Sequence, residues 1–195
     1  MRAALVSLDR WVKDGKEPPA SRYPRIADGT LVLSAKFNTS IPGFAAAKGA
    51  NPKPRLDFGP DIDKGIIGKA LPVALKDEYR VLVPSVDADG NEMAGLRLPD
   101  ITVPTGTAMG WSVRSEMGGG TGELCYLDGA FLPFAKTKAE REAKNDPRPS
   151  LAERYRDNAD YAERVKQAAT ALEHDGYLLP EDVKRIVARA ATLTW

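Results

Sequence analysis

Ser112 is the first residue to consider for covalent chemistry, because it lies in a Gly-x-Ser segment. A serine hydrolase carries its nucleophile in a Gly-x-Ser-x-Gly turn between a strand and a helix, with a histidine and a carboxylate within reach. The segment from Gly110 to Arg114, GWSVR, lacks the second glycine. The single histidine, His174, comes just before Gly176, a position typical of a cation at a helix C-terminus. We therefore assign no catalytic residue in this chain.

The metal-binding patterns are also incomplete. One cysteine and one histidine cannot build a zinc site. The segment Asp87-x-Asp89-x-Asn91 matches the first three ligand positions of a calcium loop. The match then fails, because Glu92 replaces the turn glycine and Leu98 replaces the bidentate glutamate. A hairpin turn explains the same residues more simply. We predict no metal site and no cofactor.

Asp57, Asp61 and Asp63 form a second group of carboxylates that could support acid–base chemistry. Lys64 and several glycines surround them, which favours turn formation over a catalytic role. The first of them begins the tripeptide Asp-Phe-Gly, which binds metal in protein kinases. The sequence has neither the glycine-rich loop with its strand lysine nor the catalytic-loop motif that should accompany it.

The remaining polar cluster contains Thr105, Thr107, Trp111 and Arg114. An arginine near a tryptophan can stack on the ring or bind a carboxylate through two hydrogen bonds. The alternative is a core tryptophan with an arginine at its surface rim, which is a common arrangement. Trp111 and Arg114 are the two residues that we predict to contact a substrate.

Helices are expected at the two ends of the chain. Residues 2–14 carry apolar side chains at helical spacing and stop at Gly15 before two prolines. Capping boxes are expected at 137–140 and at 150–153, a longer helix after Asp157, and a final helix with Pro180 as its first residue. The chain is treated as one unit, with a helix plus strands and loops over 1–135 and a helical region over 136–195.

The middle is crowded with prolines and glycines, which predicts short strands and irregular connections. Strands are expected at 31–33, 79–84, 93–98 and 101–103, with a turn at 87–92 before the third. Residues 38–68 are expected to form a long ordered loop, and the glycines of 118–122 a linker or hairpin tip.

Composition excludes several classes of function. The 195 residues are 43% hydrophobic and 28% charged, which suits a globular domain. A net charge of +1 gives no reason to expect a nucleic-acid partner. No stretch approaches the roughly 18 apolar residues of a membrane helix, and the N-terminus is not a signal peptide.

Five stretches, spread in order from residue 8 to residue 190, resemble the C-terminal part of a family of bacterial α/β-hydrolase domain proteins. They are LDRWVKDGKEPPASRYPRIADGTLV (8–32), LDFGPDIDKGII (56–67), VLVPSVDADGNEMAGLRLPDITVPTGTAMGWSVR (81–114), FLPFAKTKAEREAKNDPRPSLAERY (131–155) and GYLLPEDVKRIVARA (176–190). Ser112 departs from the pattern, since asparagine is expected there. The resemblance implies an α/β fold, of which this chain is the C-terminal segment.

The resemblance also implies that the nucleophile and the triad histidine precede the matching segment. Three hypotheses follow. In the first, the chain completes the core and one wall of the substrate pocket of an esterase-like or lipase-like serine hydrolase. That protein would act on a small ester-type substrate, and its N-terminal hydrolase portion would hold the triad. In the second, the chain is a non-catalytic binding or interaction module derived from the family. In the third, it is an independent enzyme that uses Asp57, Asp61 or Asp63.

Overall fold

A computed structural model describes residues 1–34, 37, 39–44, 53–125 and 128–195. Within this part, the helices are α1 (Arg2–Asp14), α2 (Pro99–Thr102), α3 (Lys138–Ala143), α4 (Leu151–Arg154), α5 (Asn158–His174) and α6 (Pro180–Ala191). The strands are β1 (Leu31–Leu33), β2 (Pro54–Asp57), β3 (Val73–Glu78), β4 (Leu82–Pro84), β5 (Gly106–Met109), β6 (Ser112–Val113), β7 (Leu124–Cys125) and β8 (Ala130–Pro133). The chain is therefore a mixed α/β structure.

The N-terminal helix is confirmed over the predicted residues. Gly15 ends α1 in a left-handed conformation, with φ of 66°, and its N–H donates to the Trp11 carbonyl. Glycine adopts this conformation without the steric cost of a Cβ atom. The chain then passes through Pro18 and Pro19, where a helix cannot continue.

The described strands pair two by two, and every pair is antiparallel. β1 pairs with β4, β2 with β3, β5 with β8 and β6 with β7. The register of the first pair sets Val32 opposite Val83, and that of the third sets Thr107 opposite Leu132. The expectation that the middle of the chain contains short strands is thus confirmed, as is the individual strand at 31–33. The predicted tip at 118–122 is the end of the β6–β7 hairpin.

Two of the predicted strands are wrong and two segments differ in extent. Residues 101–103 are not a strand, because Pro99 starts the helical turn α2 there. Residues 93–98 form no strand after the turn, which closes through a bridge between Val86 and Glu92 and the backbone hydrogen bonds beside it. The strand predicted at 79–84 begins at Leu82. The loop predicted at 38–68 contains β2, while residues 38 and 45–52 lie outside the described part.

The helical C-terminal third is confirmed, and its polar residues explain where each helix begins. The Thr137 side chain accepts a hydrogen bond from the Glu140 backbone N–H. Ser150 donates to the Glu153 carboxylate from its N–H and its hydroxyl, at 2.9 and 2.7 Å. Asp157 caps α5, and Pro180 is the first residue of α6.

The main hydrophobic core lies in this helical third and reaches back to the strands. Its buried members are Val103, Phe134, Leu151, Tyr155, Tyr161, Val165 and Ala190. The Tyr155 hydroxyl donates a 2.8 Å hydrogen bond to the Pro104 carbonyl, and burial raises the pKa of Tyr155 to about 12. Within the described residues, no helix has the length and apolar character that a membrane span requires.

Candidate functional site

An apolar cleft beside Trp111 is the candidate site. Its volume is about 350 Å³. Strand β4, the turn at 87–92, the end of β5 and two aromatic residues of the preceding loop form its walls. The described lining residues are Ser34, Phe37, Phe44, Val81, Leu82, Val83, Pro84, Val86, Gly90, Glu92, Ala108, Met109, Gly110 and Trp111. We call this site the Trp111 cleft.

Three aromatic rings pack together on one side of the Trp111 cleft. The Phe37 and Phe44 ring centroids are 5.8 Å apart, and those of Phe37 and Trp111 are 6.0 Å apart. The Phe44 and Trp111 rings meet nearly edge to face, with centroids 5.7 Å apart and an interplanar angle of 80°. Such tilted contacts are the preferred geometry of aromatic pairs. They give one wall of the cleft a defined aromatic surface.

Gly90 lies where the turn at 87–92 packs against Phe44 of the aromatic wall. Its φ of 79° lies in the left-handed region, which favours glycine. A Cβ atom at this position would lie 2.7 Å from Ile41 Cδ1, 2.9 Å from Thr107 Cγ2 and 3.1 Å from Phe44 Cε2. Any larger residue would therefore collide first with Ile41 and Thr107. The turn thus packs closely against the side of the cleft that carries Phe44.

Two arginines hold the turn in place from opposite sides. The Arg97 guanidinium donates to the Asp87 carboxylate at 2.6 Å, and the Arg154 guanidinium forms a two-pronged ion pair with Asp89, of which one contact is 2.8 Å. The side chain of Asn91, fully buried, accepts from the Ala108 N–H at 2.8 Å and donates to the Gly106 carbonyl at 3.2 Å. These contacts join the turn to β5 and to α4.

A buried ion pair lies behind β5. Arg148 Nη2 and Asp146 Oδ2 are 2.6 Å apart, and both side chains are almost fully buried. Arg148 also donates to the Thr107 hydroxyl at 2.8 Å and to the Leu132 carbonyl at 2.9 Å. The hydrogen bonds from Arg148 hold the pKa of Asp146 below its ordinary value, against the effect of burial. The pair therefore stabilises the strand that carries the inner wall of the cleft.

The calcium-loop pattern is accounted for by this turn. Asp87 Oδ1 accepts from the backbone N–H groups of Asp89 and Asn91, both at 3.0 Å. The side chains of all three residues are engaged with arginines or with the backbone, as described above. The turn at 87–92 is confirmed, although the returning strand of the predicted hairpin is not formed.

The predicted substrate-contacting residues lie in different surroundings. Trp111 lines the cleft, whereas Arg114 is exposed on the β6–β7 hairpin and does not line the described part of the cleft. Thr107 is fully buried, and its hydroxyl donates to the Asp89 carbonyl, so it has a structural role. Ser112 pairs with Cys125 between β6 and β7. A role in substrate contact stays a prediction for Trp111 and for Arg114.

The second set of carboxylates, those of Asp57, Asp61 and Asp63, lies at the end of β2 and in the connection from β2 to β3. Asp57 forms an ion pair with Lys69 and accepts from the Gly59 N–H at 3.0 Å. The hydrogen bond from Lys69 is the main reason that the pKa of Asp57 is lowered. Asp61 pairs with Lys64 at 2.8 Å. Both contacts agree with the turn-forming role, and the lowered pKa of Asp57 makes that carboxylate a weaker base.

His174 is placed as expected for a cation at a helix C-terminus, because it is the last residue of α5 and its side chain is 90% exposed. Its Nδ1 is 3.5 Å from Asp175, which also pairs with Arg22 at 2.8 Å. Among the described residues, no group of three histidine, cysteine, aspartate or glutamate side chains is arranged to hold a metal ion.

Phe37, Phe44 and Glu92 are the site residues that sequence reasoning missed. The two phenylalanines lie in a segment without periodicity, where no spacing argument applies. In the sequence, Glu92 is notable only because it occupies the position of the turn glycine in the incomplete calcium-loop pattern. The one usable signal is that Glu92 is the last residue of the predicted turn at 87–92.

A family model described as an alpha/beta hydrolase domain matches residues 1–188. No curated protein and no solved structure matches the chain.

Proposed function

Because the chain belongs to an alpha/beta hydrolase domain family, we propose that it is the C-terminal portion of a serine hydrolase of the esterase or lipase type. In that protein, it completes the core and supplies one wall of the pocket for a small ester-type substrate. An N-terminal hydrolase portion carries the nucleophile and the histidine, in keeping with the chain order serine, acid, histidine of these enzymes. The chain by itself is inactive.

The orientation of α1 is the observation that carries this proposal. Its large apolar residues point away from the rest of the described chain, with Leu5 62%, Leu8 50% and Trp11 49% exposed. Ala3, which is 5% exposed, lies on the opposite side of the helix. An amphipathic helix normally buries its apolar stripe. We name Leu5, Leu8, Trp11 and Val12 the exposed α1 face.

Ion pairs hold α1 in this orientation. Arg2 contacts Glu181 at 2.9 Å and Asp182 at 3.4 Å, both in the first turn of α6. Acidic residues at that end of a helix are also favoured by its dipole. The described residues leave the exposed α1 face largely uncovered, and it offers a docking surface for the N-terminal hydrolase portion.

The Trp111 cleft supplies the proposed pocket wall. Apolar lining with a small number of polar groups is typical of small-molecule sites. Trp111 is the proposed contact inside the cleft, and Arg114 the proposed contact on the neighbouring hairpin. The serine and the histidine act on the ester bond from the other wall.

A non-catalytic binding module is the second candidate. The observation that favours it is the cleft itself, because this chain's own residues build it. The two candidates differ in what must precede the chain. A hydrolase needs a nucleophile elbow and a histidine loop there, whereas a binding module needs neither.

Hydrolysis of 4-nitrophenyl esters tests the proposal. The chain alone and the protein encoded together with the upstream reading frame are assayed side by side. We expect turnover by the longer protein only, and a reduced kcat/KM in its Trp111→Leu variant. Turnover by the chain alone that Asp57→Asn abolishes would instead establish the carboxylate enzyme. Absence of turnover by both proteins, with no serine elbow upstream, would favour the binding module.

A further inference from the structure

We propose that the Trp111 cleft binds an organic cation with an apolar body, such as an aryl or alkyl group that carries a quaternary ammonium. The site is assigned from the aromatic wall, the apolar lining and one carboxylate. As a statement about the substrate, the inference rests on the proposed function, but as a statement about binding it concerns this chain alone.

The charge of the cleft is the first argument. Glu92 is the one charged residue among the described residues that line it, and no lysine or arginine is in that set. The carboxylate has no ion pair or hydrogen bond with the described residues, unlike Asp87 and Asp89 in the same turn. Glu92 lines the cleft and is exposed, so its side chain is accessible to a ligand. A carboxylate beside an apolar surface favours a cation and repels an anion.

The aromatic wall is the second argument. A cation near the face of a tryptophan or phenylalanine ring is attracted by the negative face of the π-system, most strongly for tryptophan. The rings of Phe37, Phe44 and Trp111 are tilted with respect to one another by 39° to 80°, so none of them stacks flat on another. The three rings therefore form a continuous aromatic surface along one wall of the cleft.

The remaining lining residues of the cleft are the reason that we assign an apolar body to the ligand. Val81, Leu82, Val83 and Met109 present aliphatic and thioether groups, and a volume of about 350 Å³ accommodates a ring with a trimethylammonium group. A small inorganic cation would gain nothing from such walls. The combination of aromatic faces, aliphatic surface and one carboxylate matches a hydrophobic organic cation.

Two probes of similar shape separate the effect of the ligand's charge on binding from the effect of its shape. Phenyltrimethylammonium and tert-butylbenzene have nearly the same size and differ in charge. Binding of each to the full chain is measured by calorimetry and by saturation-transfer NMR, below the solubility limit of the neutral probe. We expect the cation to bind roughly tenfold more tightly, from the sum of a cation–π and a carboxylate contact. Equal affinities, or no binding of the cation, would overturn the proposal.

Glu92→Gln tests the carboxylate at an exposed side chain, and circular dichroism verifies that the variant is folded. We expect the variant to bind the cation several-fold more weakly and the neutral probe unchanged. Glu78→Gln, an exposed residue of β3 outside the cleft, is the matched control and should leave both affinities unchanged. If Glu92→Gln binds the cation as tightly as the wild type, the inference is wrong. Neither measurement uses ester hydrolysis, so failure here is distinct from failure of the proposed function.

Discussion

Arg148 Nη1 donates a 2.8 Å hydrogen bond to Thr107 Oγ1, across 41 positions of sequence. Both side chains are buried, and the Thr107 hydroxyl in turn donates to the Asp89 carbonyl. These two hydrogen bonds link the segment before α4 to strand β5, and strand β5 to the turn that forms part of the walls of the Trp111 cleft. The cleft depends on the helical third of the chain for its shape.

Replacing Arg148 with methionine should destabilise the protein by about 3–5 kcal/mol, because Asp146 would be left as an uncompensated buried charge. Urea unfolding monitored by circular dichroism measures the loss. Lys13→Ala, which removes an exposed i,i+4 pair with Asp9, is the control and should cost about 0.5 kcal/mol or less. Similar losses in the two variants would contradict the role assigned to the buried pair.

Gly90→Ala should lower the stability of the protein by more than the conformational cost of replacing a glycine with positive φ. Gly95 has a similar φ of 82°, but no atom lies within 4 Å of the position that a Cβ atom would take there, so Gly95→Ala reports the conformational cost alone. Overpacking against Ile41 and Thr107 should add about 1–3 kcal/mol to the cost at Gly90. Thermal unfolding compares the two variants, and equal losses of stability would refute the close packing described for Gly90.

Glu153 should make stability depend on acid pH. Hydrogen bonds from Arg141, followed by those from Ser150, lower the pKa of Glu153 from 4.5 to about 2. A lowered folded-state pKa contributes stability above the unfolded-state value, and this contribution is lost as pH falls from 4.5 towards 2. Carbon-detected NMR titration should show the low pKa, and Arg141→Gln should raise it. An ordinary pKa in the wild type would contradict the geometry at the start of α4.

The exposed α1 face should make the chain alone self-associate, since a contiguous exposed apolar patch promotes association. The double variant Leu8→Lys and Trp11→Lys should shift the chain towards monomer in sedimentation velocity. Met117→Lys, at a residue 99% exposed on another part of the surface, should leave association unchanged. A wild-type chain that is monomeric at high concentration would show that the exposed α1 face is tolerated without a partner.

Local signals in the sequence predict the helical elements well. Gly15, the Ser150–Glu153 pair and Pro180 each act on the backbone within one turn, so the sequence alone places the helix ends. The strand predicted at 101–103 failed for the opposite reason. Its β-branched residues favour a strand, but Pro99 starts a helical turn whose end, Val103, packs into the core.

The cleft can be predicted only in part. Trp111 stands out, because a tryptophan beside glycines in a proline-rich segment is distinctive. Phe37 and Phe44 approach it from residues more than 60 positions earlier, and no local pattern encodes that contact. The partners of Asp89 and Thr107 are likewise distant in sequence, at Arg154 and Arg148. Contacts of this kind depend on tertiary packing.

The most direct test of the central claim is to locate the adduct of a fluorophosphonate probe on the protein encoded with the upstream reading frame. Such probes react with an activated serine nucleophile. We predict a single labelled serine that precedes Met1 of this chain, and no label on the chain alone. Labelling of Ser112, or of any other serine within residues 1–195, would contradict the account.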